Sequence, residues 1–251
     1  MKRLLLGVLL LPAITFAARA DDPPKTQEEK KPLTPAEEYK AVVADFNKAN
    51  KEFSEAYQKA KTDEERNKAF EDKYPKIDKF CERMMELAKK NPKDGAAIDA
   101  LVWVVTHRGS QVDDAVDLFI KDHIESPKLD VMSLGYSQSA RTEKQLRTLN
   151  EKSPHKDVQG KACYALAMHL RYTGHAKEAE TEFERVVKDF SDIKAYRDTL
   201  GEMAKHDLFE LRFLIVGKTA PEIKGEDIDG KKFKLSDYKG KVVLLDFWGD
   251  W

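Results

Sequence analysis

Residues able to do chemistry are few in this chain and lie far apart. Asp246 is the one acid in the apolar run Val242-Val-Leu-Leu-Asp-Phe247, and Trp248 and Trp251 follow it. An unpaired acid is costly to bury, so one kept in such a run points to a task. A core strand with one polar residue and two packing indoles is the plainer reading. The two cysteines, Cys81 and Cys163, each fall on the apolar face of an expected helix, where a lone cysteine is a small buried hydrophobe. A structural disulfide between them and a reactive thiol are the other two readings. Glu202, Lys205, His206, Asp207 and Glu210 fall on an expected late helix and read as a solvated face. No cofactor and no metal ion is expected.

The elements that must position these residues begin after two N-terminal segments. Lys2 and Arg3 precede an apolar run from Leu4 to Phe16, and Ala18-Arg19-Ala20 closes it. That order is a secretory signal peptide, residues 1–20, with cleavage before Asp21. The run is too short for a membrane span and contains Pro12, so no stable anchor is expected after cleavage. An exported protein of a periplasm or an equivalent extracytoplasmic space follows. Residues 21–33 are rich in Pro, Lys, Glu and Gln and read as a disordered linker. Acids and bases nearly balance at net −1, which leaves no basic field for nucleic acid and no polybasic patch for anionic lipid.

Residues 34–215 read as a helical-hairpin domain. Thr34-Pro-Ala-Glu37 is a capping box with Pro at the first helical position, and Thr62-Asp-Glu-Glu65 is a second. Tyr39, Val42, Phe46, Ala49, Phe53, Ala56 and Ala60 form a narrow seam that calls for a partner helix. The helix opened at Thr62 carries Ile77, Phe80, Cys81, Met84 and Leu87 past a bend at Tyr74-Pro75. Hairpins are then expected near 96–107 with 111–124, 129–138 with 141–151, and 158–173 with 175–190, and a closing helix near 193–214. In the third hairpin, Leu166, Ala167, Gly174, Ala179 and Phe183 resemble tetratricopeptide-repeat (TPR) positions, although Cys163, Leu170 and Ser191 replace the usual Trp, Tyr and Pro. Such surfaces often bind peptides. With no basic or aromatic groove visible in the sequence, a scaffold or spacer is the plainer reading, and a protein partner is the alternative.

From residue 216 the pattern changes to strands. Asp229-Gly230 signals a hairpin between a strand near 222–226 and its return over 231–235. Leu235-Ser-Asp-Tyr-Lys-Gly240 reads as one helical turn with a Gly stop, and Val242–Phe247 as a strand buried on both faces. The ordered set Gly217…Ala220-Pro221, Asp229-Gly-Lys231, Leu235-Ser-Asp237, Gly240-Lys241 and Leu244-Leu-Asp-Phe-Trp-Gly-Asp-Trp251 resembles TlpA/ResA-like thioredoxin-fold thiol–disulfide oxidoreductases, of the redoxin group. The fold class expected is therefore mainly α: a TPR-like helical domain, then the β-hairpin and first buried strand of an incomplete α/β thioredoxin-like domain, residues 216–251.

The resemblance implies roles. Asp246 matches the buried acid that relays a proton to the second active-site cysteine, through a raised pKa. Trp248 and Trp251 match the indoles that pack over the dithiol. Protein thiols and disulfides would be the partners. The dithiol itself would begin at residue 252, so the chain as written is expected to be inactive and to lose solubility or order beyond Val216. Truncation, a frameshift, or a selenocysteine codon read as stop would each place an end there. A peroxiredoxin-like redoxin is the second enzyme reading, and Phe247-Trp-Gly-Asp-Trp251 argues against it. A non-catalytic TPR-like interaction module is the third.

Overall fold

The capping box at Thr34 starts the first helix. In the computed structural model, which describes residues 32–196 and 198–246, Thr34 Oγ1 accepts from Glu37 N–H, and Glu37 Oε2 accepts from Thr34 N–H at 2.8 Å. Helix α1 runs Pro35–Lys59. Thr62 caps α2, Asp63–Lys73, by accepting from Glu65 N–H. Here Glu65 reaches past the cap residue to the Lys61 amide instead, so the second box closes one residue early. The expected bend is a full break, because proline excludes the helical conformation from the residue before it. Tyr74 is extended at ψ 127, and α3 starts afresh over Ile77–Lys90.

Asp94 caps α4, Gly95–His107, through the Ala96 amide at 2.8 Å. Then come α5, Val112–His123, and a 3-10 turn, Met132–Tyr136. The helix expected over 129–138 is only this turn. Gly135 presses on the next hairpin there, since a Cβ on it would lie 2.7 Å from Met168 Cβ. Helices α6, Thr142–Lys152, α7, Lys156–Tyr172, and α8, Ala176–Asp189, follow, with Gly174 at φ 88 turning α7 into α8. The last helix, α9, spans Leu200–Phe213 rather than starting near 193. Lys194 and Thr199 form a bridge ahead of it, and Thr199 caps α9 through the Glu202 amide.

Helix α7 is the spine of the helical region. Val158, Ala162, Cys163, Ala165, Leu166, Ala167 and Leu170 are all buried, and α7 packs against α6, α8, α9 and the 3-10 turn. Its small residues let neighbouring backbones approach, and Phe183 of α8 fills the space they leave. The α1 seam is shared among α2, α3 and α4 rather than committed to one partner helix. One continuous apolar core runs from Val42 to Leu211. Among the described residues no helix is long and apolar enough to cross a membrane. Residues 1–31, where a signal peptide and most of a linker are expected, lie outside the described residues.

Candidate functional site

The segment that resembles a redox module is built on a short hairpin. Strands β1, Lys224–Glu226, and β2, Lys232–Lys234, pair antiparallel with Gly225 opposite Phe233. The turn is held by Asp227, whose Oδ1 accepts from the Asp229 and Lys231 amides at 3.0 and 2.8 Å, and Gly230 adopts φ 77. The Phe233 ring covers Gly225: a Cβ there would lie 2.9 Å from Cζ, so a larger residue would push the ring aside. A second 3-10 turn, Leu235–Tyr238, is fastened by Glu222, which accepts from the Ser236 amide and hydroxyl at 2.9 and 2.5 Å. Those two hydrogen bonds hold the Glu222 carboxyl below the usual range. Gly240, at φ 85, ends the turn.

The strand expected over Val242–Phe247 does not form across its described part. Residues 242–246 carry no strand, and Val242 and Leu244 are fully or almost fully exposed, at 103% and 92%. A strand buried on both faces needs paired neighbours and covering helices. The only strands among the described residues are β1 and β2, and they pair with each other. Asp246 is therefore exposed, not buried. Phe247, Trp248 and Trp251 lie outside the described residues.

Comparison with curated proteins adds a separate observation. A 36-residue stretch is 53% identical to "Thiol-disulfide oxidoreductase ResA" of Bacillus thuringiensis subsp. konkukian, covering 14% of this chain and 21% of that protein. The protein of the same name from Geobacillus thermodenitrificans is 50% identical over 36 residues, again 14% and 21%. That of Bacillus subtilis is 54% identical over 35 residues, 14% and 20%. This stretch resembles the thioredoxin-like redoxins. The chain spans about one fifth of the length of these ResA proteins. No family model matches the chain, and no solved structure does.

The chain's own thiols are unsuited to exchange. Cys81 and Cys163 are both buried and free, so the disulfide reading is not realised. Burial pushes the Cys81 thiol up to about 11, with Asp78 adding to the shift. Burial, then the Glu182 charge, pushes Cys163 up to about 12. Neither supplies thiolate at neutral pH.

A polar cluster that the sequence does not announce lies between α7 and α9. Asp207 is 9% exposed rather than part of a solvated face. Its Oδ2 accepts from the Tyr164 hydroxyl at 2.6 Å, and its Oδ1 from Arg171 Nη1 at 2.9 Å. Arg171 Nη2 also donates to Glu210 Oε2 at 2.7 Å. Burial raises the Asp207 carboxyl above its usual range despite these bonds, which pull the other way. The cluster lines a cleft of about 560 Å³ together with Tyr136, Met168 and Tyr172. His206, Asp207 and Glu210 bring ligand atoms within 4.8 Å of one another. Arg171 already supplies the positive charge those carboxylates face, so the cluster reads as a helix-to-helix clamp. The signal that could have found it is Tyr164 on the buried face of α7, whose hydroxyl must meet an acceptor.

Proposed function

We propose that this chain carries the opening elements of an exported thioredoxin-like thiol–disulfide oxidoreductase, placed behind a helical domain of TPR-like hairpins. The observation that carries this reading is the local identity to ResA proteins, 53% over 36 residues. That length equals the segment 216–251 set apart by its change of pattern. The hairpin with its Asp-Gly turn and the Glu222-fastened 3-10 turn agree with it. The signal-peptide pattern of residues 1–20 supports export, with action outside the cytoplasm.

The activity proposed is dithiol exchange with protein substrates. One thiolate attacks a substrate disulfide, forming a mixed disulfide and releasing one substrate thiolate. A second thiol of the module then attacks that mixed disulfide, so the substrate leaves fully reduced and the module is oxidised. Cys81 and Cys163 are too buried to play either part, so the exchanging dithiol would follow Trp251. In the assembled module Asp246 would relay a proton and Trp248 and Trp251 would cover the sulfurs. Both roles require Val242–Phe247 to gain the strand neighbours it lacks among the described residues.

Reduction of insulin disulfides by dithiothreitol-recycled protein tests this. The chain of 251 residues is expected to give no turnover above the dithiothreitol control. A version continued with Cys-Gly-Pro-Cys and a complete module is expected to turn over. Turnover by the unextended chain, or none by the extended and folded one, overturns the reading.

A further inference from the structure

Arg108 stands apart from the other described arginines in two ways. It has the only positive φ of any non-glycine among the described residues, φ 55, in the left-handed region where it ends α4. Helices often end on a residue of that conformation, usually glycine, and it costs free energy for one that bears a side chain. It is also unpaired. Arg66, Arg83, Arg141, Arg147, Arg171, Arg185 and Arg212 each meet a carboxylate. Among the described residues the Arg108 guanidinium has no hydrogen bond or ion pair to a protein group.

Its position is where two clefts meet. The larger, about 840 Å³, is walled by Phe70 and Tyr74 and rimmed by Lys76, Lys79 and His107. Phe70 and Tyr74 stack at 4.6 Å and 20°, yet each is about half exposed. The smaller, about 190 Å³, is lined by Val105, Val112, Leu134 and Tyr136. Arg108 lines both. Glu71 and Asp78 also border the larger cleft, and the Ser110 amide keeps Asp78 ionised, but Lys76, Lys79 and Arg108 outnumber the two acids. The result is a furrow of two clefts that share Arg108, whose guanidinium is unpaired among the described residues.

We propose that this furrow docks an extended segment of a partner polypeptide whose Glu or Asp pairs with Arg108. An apolar side chain two residues to each side of that acid would enter the two clefts. The spacing follows from strand geometry: residues i, i+2 and i+4 of an extended chain face the same way, about 6.6 Å apart. The acid follows from charge complementarity, since guanidinium–carboxylate hydrogen bonds are among the stronger ones a surface makes. The apolar flanks follow from the two clefts and from the half-exposed ring pair.

The probe is a fluorescein-labelled nonapeptide, Gly-Ser-Leu-Ser-Glu-Ser-Leu-Ser-Gly amide, titrated with the full chain and read by anisotropy. Comparators replace its Glu by Gln, or both Leu by Ser. Saturable binding is expected, weakened about tenfold or more by either replacement. In Arg108→Gln the preference for Glu over Gln is expected to vanish, and in Arg108→Lys to return in part, with far-ultraviolet circular dichroism unchanged in both. No saturable binding, equal binding of the Glu and Gln peptides, or a preference that survives Arg108→Gln overturns the proposal. Displacement of the peptide by sodium acetate as readily as by unlabelled peptide overturns it too, because the site would then hold a free carboxylate only.

Discussion

The Tyr164 hydroxyl donates a 2.6 Å hydrogen bond to Asp207, joining α7 to α9 across 43 residues of sequence. Arg171, seven positions after Tyr164 and two turns along α7, donates to the same carboxylate. The clamp therefore fastens the last helix of the apolar core through a group that burial disfavours as a charge.

That tension has a pH signature. The folded Asp207 carboxyl lies above its usual range, chiefly through desolvation, with Arg171, Tyr164, Glu210 and His206 facing it. Between the unfolded and the raised folded pKa, the folded chain binds more protons, so this group's contribution to stability falls as pH rises through that window. Urea denaturation at a series from about pH 4 to 7 is expected to show this component, and Asp207→Asn to remove it. Asn keeps an acceptor for Tyr164 and is expected to cost about 1 kcal/mol. Asp207→Ala leaves a buried hydroxyl unmet and Arg171 half paired, at about 3 kcal/mol. Equal pH profiles for the parent and the Asn variant would contradict this account.

Gly201→Ala separates helix propensity from packing. In an exposed helix the change would stabilise by up to about 1 kcal/mol. At Gly201, in the first turn of α9, a Cβ would lie 2.8 Å from the Ser191 Cα and closer still to its hydroxyl. The backbone of the preceding loop would have to move, at about 1–3 kcal/mol. Packing wins, so the variant is expected to unfold at lower urea than the parent. A rise in midpoint would show that the loop gives way freely.

Cys81 and Cys163 are expected to resist Ellman's reagent in the folded chain at pH 8 and to react fully in about 6 M guanidinium chloride. Their thiols sit at about 11 and about 12, and both are buried, so thiolate and access are lacking together. Rapid labelling of the native chain would refute this.

Arg108 carries the strain expected of its left-handed backbone. Glycine adopts that conformation without the Cβ clash, so Arg108→Gly is expected to be more stable than Arg108→Ala by about 1 kcal/mol in urea. Neither loses an ion pair, because Arg108 makes none among the described residues. A Gly variant no more stable than the Ala variant would show that the backbone conformation carries no such cost.

Much of the helical region is legible in the residues themselves. Thr34-Pro-Ala-Glu37 and Gly174 mark a start and a stop that depend only on nearby hydrogen bonds and permitted backbone angles, and α1, α7 and α8 form where they direct. The same holds for the Asp229-Gly230 turn. Thr199-Leu-Gly-Glu202 is a start signal of the same kind, and α9 begins there instead of near 193. Local chemistry also sets residues 216–251 apart, because the motifs there are contiguous in sequence.

What only the tertiary structure decided depends on partners distant in the chain. Asp207 looks like one more charge on a polar helix face until Tyr164 and Arg171 are brought against it. The apolar run at 242–246 has the composition of a buried strand, yet strand burial is conferred by neighbours, and none among the described residues pairs with it. The sequence shows no basic or aromatic groove, because Phe70, Tyr74, Arg108 and Tyr136 belong to separate elements. Folding alone brings those rings to clefts that Arg108 also lines, since long-range packing has no period that a single chain can display.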